Sequence, residues 1–258
     1  MKIKWIVGGL LWASSYLQAA AQEYKLWYDE PAQVWTEALP LGNGRLGAMV
    51  FGNPGVEHIQ LNEETIWAGR PNNNANPNAL EYIPKVRQLV FEGKYLEAQT
   101  LATEKVMAKT NSGMPYQSFG DLHISFPGHT RYSDYYRELS LDSARTIVRY
   151  KVDGVTYQRE TLTSFADQVV MVRLTASQPG KITCNANLTT PHQDVMVATE
   201  GEEVTLSGVS SWHEGLKGKV EFQGRMTARS QGGTQACRDG VLSIEGADEA
   251  VIYISIAT

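Results

Sequence analysis

The segment RTIVRYKV-DG-VTYQRETLT, residues 145–163, carries the clearest indication of fold class in this chain. Apolar residues alternate along its first half, from Val148 to Val152, so that they share one face of an extended strand. The Asp153-Gly154 pair at its centre supplies the positive φ angles of a two-residue type I′ turn. The stretch therefore predicts a β-hairpin.

Short extended runs of the same kind continue from this hairpin towards the carboxyl terminus. They occupy residues 168–176, 181–188, 195–199, 203–209, 219–228, 241–244 and 250–257. No helical pattern intervenes between them. The sequence thus predicts a mainly β fold, a large antiparallel β-sandwich of the super-sandwich kind.

A pair of helices is predicted near residues 77–109, inserted between early strands. Asn76 is a good N-cap before Pro77 at the first helical position, and apolar residues recur at helical spacing up to Val90. Gly93 is expected to end the first helix, after which a second amphipathic segment begins.

Residues 1–21 have the three parts of a secretory signal peptide, namely two lysines, an apolar core and small residues before a cleavage point. The apolar core is too short to span a membrane, which takes about 20 apolar residues. We expect cleavage after Ala21 and an exported bacterial protein in the periplasm, at the cell surface or secreted. No membrane span is expected in the mature chain.

Net charge and cysteine content narrow the classes of partner. Removing residues 1–21 takes two of the 23 lysine and arginine residues and none of the 28 acidic ones, so the formal charge moves from −5 to −7. Nucleic acid is therefore a poor partner.

Residues 22–258 have a length that suits one large domain. Cys184 and Cys237 are able to pair as a disulfide in an oxidising compartment.

The last predicted strand, residues 251–258, stops without a turn or a polar tail behind it. A strand that lacks a neighbour on one side leaves an unpaired edge, which proteins ordinarily avoid. We therefore expect that the domain is truncated before its natural end.

A glycine-rich motif, GNGRLG at residues 42–47, fits the G-x-G-x-x-G pattern of dinucleotide sites. Such a site needs an apolar strand before the glycines and a helix after them. Here Pro40 precedes the motif, and the apolar run that follows has only a strand's length before GNPG closes it. The motif therefore predicts a tight turn that passes close to another surface.

The segment QLNEETIW, residues 60–67, brings an amide, two carboxylates and an indole together within eight residues. Such groups suit a sugar, because polar groups bind its hydroxyls and an aromatic face packs on its C–H surface. Glu63 and Glu64 cannot flank one glycosidic bond, since neighbouring residues of a strand point to opposite faces. The structural alternative is a strand end with a buried tryptophan. The candidate substrate-rim or interdomain residues are Asn43, Arg45, Asn62, Glu63, Trp67 and Gln117.

Other catalytic patterns are missing from the sequence. There is no G-x-S-x-G nucleophile elbow, and the five histidines lack the spacing of metal-ligand motifs. The sequence predicts no catalytic residue in this chain, no metal site and no cofactor.

Taken in order, these segments resemble the N-terminal domain of family 95 glycoside hydrolases, the α-L-fucosidase type that includes α-L-galactosidases. The matching residues are Leu26–Tyr28, Pro31-Ala32, Trp35, Glu37–Val50, Gln60–Glu63, Thr65, Trp67, Val86-Arg87, Gly93–Tyr95, Glu97-Ala98, Tyr116-Gln117, Gly120–Leu122, Tyr136–Leu139, Tyr157, Arg159 and Glu160. They cover essentially all of the mature chain.

The resemblance implies a catalytic (α/α)6 barrel downstream, where a glutamic acid acts as general acid and an aspartate helped by asparagines activates water for inverting hydrolysis. This chain alone is expected to be inactive. Its expected partners are that barrel and a fucosylated or related oligosaccharide, with residues 43–47 and 62–67 near the active-site mouth. The alternatives are a stand-alone glycan-binding module and a purely structural export domain.

Overall fold

A computed structural model describes residues 23–108 and 113–258 of the chain. The predicted signal peptide, residues 1–21, lies outside the described residues. Among the residues that are described, no helix has the length and apolar character needed to cross a membrane.

Two antiparallel sheets make up the fold, which confirms the predicted mainly β sandwich. From one edge to the other, the nine-stranded sheet contains β1 (Lys25–Tyr28), β6 (Ser133–Ser140), β7 (Arg145–Val152), β8 (Val155–Thr163), β9 (Val170–Ala176), β16 (Glu249–Ala257), β13 (Glu221–Gln231), β12 (Glu203–Val209) and β11 (Met196–Glu200). The seven-stranded sheet contains β14 (Thr234–Arg238), β15 (Val241–Ala247), β10 (Ile182–Thr189), β5 (Gly120–Ser125), β4 (Val56–Glu63), β3 (Leu46–Val50) and β2 (Leu39–Gly42).

The core lies between the two sheets and is built by alternate residues of their strands. Tyr150 of β7 and Leu174 of β9 face Ile59 of β4 and Leu122 of β5, and each is at most 1% exposed. Full burial of a leucine or isoleucine side chain contributes about 1.5–3 kcal/mol to the free energy of folding. The core therefore needs both sheets, because neither has another apolar cover for its inner face.

The decisive hairpin forms as predicted. Val152 pairs with Val155 across a turn in which Asp153 and Gly154 have φ angles of 49° and 79°. A second Asp-Gly pair, Asp239-Gly240, joins β14 to β15 with φ angles of 49° and 76°. Strand β14 was not predicted, because its sequence TQACR has too few apolar residues to be recognised as a strand.

The predicted helix pair is present as α1 (Ala79–Phe91) and α2 (Tyr95–Lys105), and Gly93 between them has a φ of 74°. The predicted N-cap at Asn76 was wrong, because α1 begins two residues later than expected, after Asn78. The Asn76 side chain instead donates to the carbonyl of Lys105 at 2.9 Å and so ties the end of α2 to the start of α1.

The final strand, β16, has neighbours on both sides. It pairs with β13 through Gln231↔Glu249 to Gln223↔Ala257 and with β9 on its other edge. The premise of an unpaired edge was therefore wrong for residues 249–254, which have β13 on one side and β9 on the other, whereas residues 255–257 pair with β13 alone. Truncation stays a prediction that rests on the family resemblance alone.

The two cysteines are free, so the disulfide considered from the sequence is wrong. Cys184 lies on β10 and Cys237 on β14, with β15 between them. Two strand spacings separate their backbones by about 9.5 Å, and a disulfide requires Cα atoms within about 7 Å. Burial also raises the pKa of the Cys184 thiol to about 12, which keeps it protonated and unreactive.

Candidate functional site

The glycine-rich motif forms the tight turn between β2 and β3, with no helix after it. The Asn43 side-chain oxygen accepts hydrogen bonds from the amides of Arg45 (3.0 Å) and Leu46 (2.7 Å). Its side-chain nitrogen donates to the carbonyl of Ser164 at 2.7 Å, in the loop between β8 and β9. Asn43 thus shapes the turn and joins it to the opposite sheet, and the dinucleotide interpretation is excluded for this motif.

Arg45 holds the two sheets together at this end of the sandwich. Its guanidinium donates to the Gln168 side-chain oxygen at 2.9 Å and to the Ile256 carbonyl at 2.7 Å. It also lies 3.4 Å from the Glu63 carboxylate, and its side chain is 30% exposed. Most of its hydrogen-bonding capacity is therefore used within the protein.

Glu63 is buried at the end of β4, with an exposure of 2%. One carboxylate oxygen accepts from the amide (2.8 Å) and hydroxyl (2.6 Å) of Thr65, and the other faces Arg45. The neighbouring Glu64 lies in the turn that follows β4 and is exposed. Because its oxygens are engaged internally, Glu63 positions the loop after β4 and is not placed to act as a general acid or base.

Trp67 and Tyr116 form an exposed aromatic pair at the same end. They are 45% and 44% exposed, and their ring centroids lie 5.5 Å apart in an edge-on arrangement. The Trp67 indole donates to the Glu64 carbonyl at 3.0 Å, and the Tyr116 hydroxyl donates to the Glu63 carbonyl at 3.1 Å. Burial, with the charges of Glu63 and Glu64, raises the pKa of Tyr116. The exposure of Trp67 shows that the alternative of a buried tryptophan was wrong.

Trp67 of the aromatic pair lines two depressions. One, of about 290 Å³, is lined by Gly44, Asn62 and Glu64 together with both aromatic rings. The other, of about 430 Å³, is lined by Trp67 and by the loop that follows it as far as Asn74. Two predicted polar residues reach this surface beside the aromatic pair, namely Asn62, half-buried opposite Gly47, and the partly exposed Arg45.

A third loop, residues 210–219, borders the same surface and was not identified from the sequence as part of the site. Gln117 faces it, because its side-chain oxygen accepts from the Ser211 amide at 3.0 Å, and the Gly69 amide donates to the Ser211 carbonyl at 2.9 Å. Next to Ser211, Trp212 is 63% exposed and lines a larger hollow of about 680 Å³. The only sequence signal for this residue was an isolated tryptophan in a loop. We call the surface formed by residues 64–72, 113–118 and 210–219 the rim.

The six predicted residues therefore divide into two groups. Asn43, Arg45, Glu63 and Gln117 stabilise the end of the sandwich by hydrogen bonds within the protein. Asn62 and Trp67 lie on the surface of the first depression, and Arg45, which also belongs to the first group, lines it with the exposed part of its side chain. The rim offers aromatic faces, amides and a carboxylate, which together can bind a carbohydrate and cannot by themselves cleave one.

Comparison with known proteins finds relatives that are named as α-fucosidases. The chain is 39% identical over 171 residues to "Alpha-L-fucosidase 2" of Arabidopsis thaliana, a match that covers 64% of this chain and 20% of that protein. It is 30% identical over 196 residues to "Probable alpha-fucosidase A" of Aspergillus niger, which covers 71% of this chain and 24% of that protein. The chain thus spans about a fifth to a quarter of the curated relatives it matches.

A solved structure, "Putative kojibiose phosphorylase from human microbiome", is 10% identical with a TM-score of 0.47, covering 91% of this chain and 32% of that one. The family described as glycosyl hydrolase family 65, N-terminal domain, matches residues 26–258, from the first strand to the last residue of the chain. Because this match takes in both sheets and the helix pair, the chain belongs to the family of glycosyl hydrolase family 65 N-terminal domains.

Proposed function

We propose that this chain is the N-terminal accessory domain of an α-L-fucosidase of the family 95 type. The full-length protein would remove terminal α-L-fucosyl, or α-L-galactosyl, residues from glycans by inverting hydrolysis. The observation that carries this proposal is the 39% identity to a protein named alpha-L-fucosidase over 171 residues. Two further relatives named as probable α-fucosidases support the same substrate class.

The chemistry of the site supports a division of labour within the longer polypeptide. Inverting hydrolysis needs two carboxyl groups about 6.5–9.5 Å apart on either side of the scissile bond. Glu63 is engaged by Arg45 and Thr65, and Glu64 is exposed in the turn after β4. We therefore assign the acid and the base to a downstream (α/α)6 barrel, which packs against the rim and shares substrate contacts with it.

Turnover of a nitrophenyl α-L-fucoside tests this assignment. The full-length protein is expected to release nitrophenol, and residues 22–258, purified and shown by circular dichroism to be folded, are expected to release none. Clear turnover by the shorter chain would mean that the catalytic groups lie within it. Absence of turnover by the full-length protein on fucosides and galactosides alike would refute the fucosidase proposal.

Trp67→Ala in the full-length protein is expected to raise KM for a fucosylated oligosaccharide about twofold to tenfold with little change in kcat. The physical reason is the loss of an aromatic face that contributes about 0.5–1.5 kcal/mol to contact with a sugar. KM for the small nitrophenyl substrate should stay unchanged, because it does not reach the rim. Trp27→Ala is the matched control, since Trp27 is 58% exposed on β1, an edge strand of the other sheet. Equal KM values of Trp67→Ala and the unchanged protein for the oligosaccharide would show that the rim does not bind substrate.

A stand-alone glycan-binding module is the second candidate, and the exposed Trp67, Tyr116 and Trp212 favour it. Calorimetric titration of residues 22–258 with fucosylated oligosaccharide separates the two. A module gives saturable heat that Trp67→Ala diminishes, whereas a scaffold gives none.

We propose further that the protein is exported and that residues 1–21 are removed on the way. A two-lysine start, an apolar core and three alanines at 19–21 support this. Sequencing of the mature amino terminus should begin at Gln22, and a retained Met1 would contradict export by this route.

A further inference from the structure

Two histidines and an aspartate meet on the outer face of the seven-stranded sheet. His58 lies on β4, and Asp121 and His123 lie two residues apart on β5, which places their side chains on one face. His58 is paired with His123 across the two strands, and Gln60 is paired with Asp121. This cluster is separate from Glu63, which is on the same strand but faces inward.

The three side chains are close enough to share one ion. A His58 ring nitrogen is 2.6 Å from an Asp121 carboxylate oxygen, and one ligand atom of each residue lies within 4.8 Å of the others. Ligand atoms around a tetrahedral zinc ion stand about 3.3 Å apart, since each is about 2.0–2.1 Å from the metal. Small rotations of His123 would therefore complete the geometry, with the metal replacing the proton shared by His58 and Asp121.

Neighbouring rings restrict the movement of the ligands. Phe51 stacks on His58 with ring centroids 4.3 Å apart, and His58 stacks on His123 at 5.0 Å. The His58 and Asp121 side chains are 32% and 25% exposed, so an ion can reach them while part of each stays packed. Ligands held in this way lose little conformational entropy when they bind.

We propose that His58, Asp121 and His123 form a binding site for a divalent transition metal, with Zn²⁺ as the ion best matched to it. Two imidazoles and one carboxylate are ligands that suit zinc and related ions, whereas Ca²⁺ and Mg²⁺ prefer sites made only of oxygen. Three protein ligands leave a fourth position open to water or another ligand. The proposal is independent of the fucosidase assignment.

Zinc titration of the metal-free full-length protein tests the site. The unchanged protein is expected to bind one more equivalent of Zn²⁺ than His123→Gln or Asp121→Asn. If a variant still binds that equivalent, its affinity for Zn²⁺ should be lower by about tenfold or more, the scale on which changes around metal sites weaken affinity. Co²⁺ titration should give a visible absorption band of three-ligand nitrogen and oxygen coordination that both variants lose.

His213→Gln is the matched control, because the His213 side chain is also 32% exposed and lies next to a carboxylate, outside the cluster. It should bind Zn²⁺ as the unchanged protein does. A circular dichroism spectrum verifies that each variant is folded, and His58→Gln provides a third ligand variant if one fails. If all ligand variants match the unchanged protein in stoichiometry and affinity, the cluster is an ion pair of His58 with Asp121 only and the proposal is wrong.

Discussion

Arg159→Met is expected to lower the free energy of unfolding by about 3–5 kcal/mol, the range found when one partner of a buried ion pair is removed. Arg159 of β8 and Glu57 of β4 face each other across the sandwich, with side chains that are each 2% exposed. Loss of the guanidinium would leave the Glu57 carboxylate uncompensated in the core. Urea unfolding followed by circular dichroism measures the effect.

The contacts of this pair offset part of the cost of a charge in the core, while Nε and Nη1 of Arg159 are buried without a hydrogen-bond partner among the described residues. Arg159 lies 3.4 Å from the Glu57 carboxylate, donates to the Asn53 carbonyl at 2.8 Å and stacks over Phe126 at 4.9 Å. Glu57 in turn accepts from the Gly52 amide at 2.6 Å. Burial raises the pKa of Glu57, and Arg159 opposes that rise.

The pH dependence of the variant follows from the same balance. Without Arg159, the folded protein holds the Glu57 proton more tightly than the unfolded chain, whose carboxyl has an ordinary pKa of 4.5. The difference in free energy of unfolding between the unchanged protein and the variant should therefore be smallest below about pH 4.5. This difference should grow as the pH rises through the raised pKa of Glu57 in the folded variant.

Two comparisons isolate the buried charge. Arg159→Met with Glu57→Gln should recover much of the lost stability, because a neutral amide still accepts from Gly52 without carrying a charge. Arg145→Met is the matched control, since Arg145 pairs with Glu160 at 2.8 Å but is 44% exposed. An exposed pair of this kind contributes at most about 1 kcal/mol. Equal losses for Arg145→Met and Arg159→Met would show that burial is not the cause.

Gly224→Ala is expected to lower the free energy of unfolding by about 1–3 kcal/mol through overpacking of the core. A Cβ atom at position 224 would lie 2.3 Å from the Phe119 ring, which is fully buried and packs against Phe222 at 5.6 Å between centroids. The backbone of Gly224 has no positive φ, so strain of the main chain is not involved. Thermal or urea unfolding measures the loss.

A double-mutant cycle with Phe119→Leu identifies the contact. The two changes together should cost at least about 1 kcal/mol less than the sum of the single changes, because the smaller side chain gives room to the new methyl group. Gly55→Ala is the control, since its nearest neighbours would lie at 3.7 Å, and its effect should be small. Additive losses in the cycle would contradict the proposed clash.

Local patterns predicted the fold well. The positive φ angles of Asp153 and Gly154 and the alternation along β7 and β8 are properties of consecutive residues, so the sequence shows them directly. Strand β14 escaped detection because an edge strand has too little buried surface to require apolar residues. The pairing of β16 with both β9 and β13 was also missed, because pairing between distant strands leaves no local signal.

The candidate site was predicted as a region more accurately than as a set of roles. The segment 60–67 does carry an exposed aromatic residue beside a depression. Arg45 and Glu63, however, are held by Ile256 and Thr65, which are partners that the sequence alone does not connect to them. Trp212 joins the same rim through Ser211, although more than a hundred residues separate it from the motif.

The sandwich class, the Asp153-Gly154 hairpin and the helix pair could be predicted from the sequence, because turn geometry and side-chain periodicity are set by neighbouring residues. The folded structure was needed to show that the cysteines are free, that Arg159 meets Glu57 in the core, and that His58 meets Asp121 and His123. The physical reason is that these contacts join different strands, whose order and register depend on burial of the whole core.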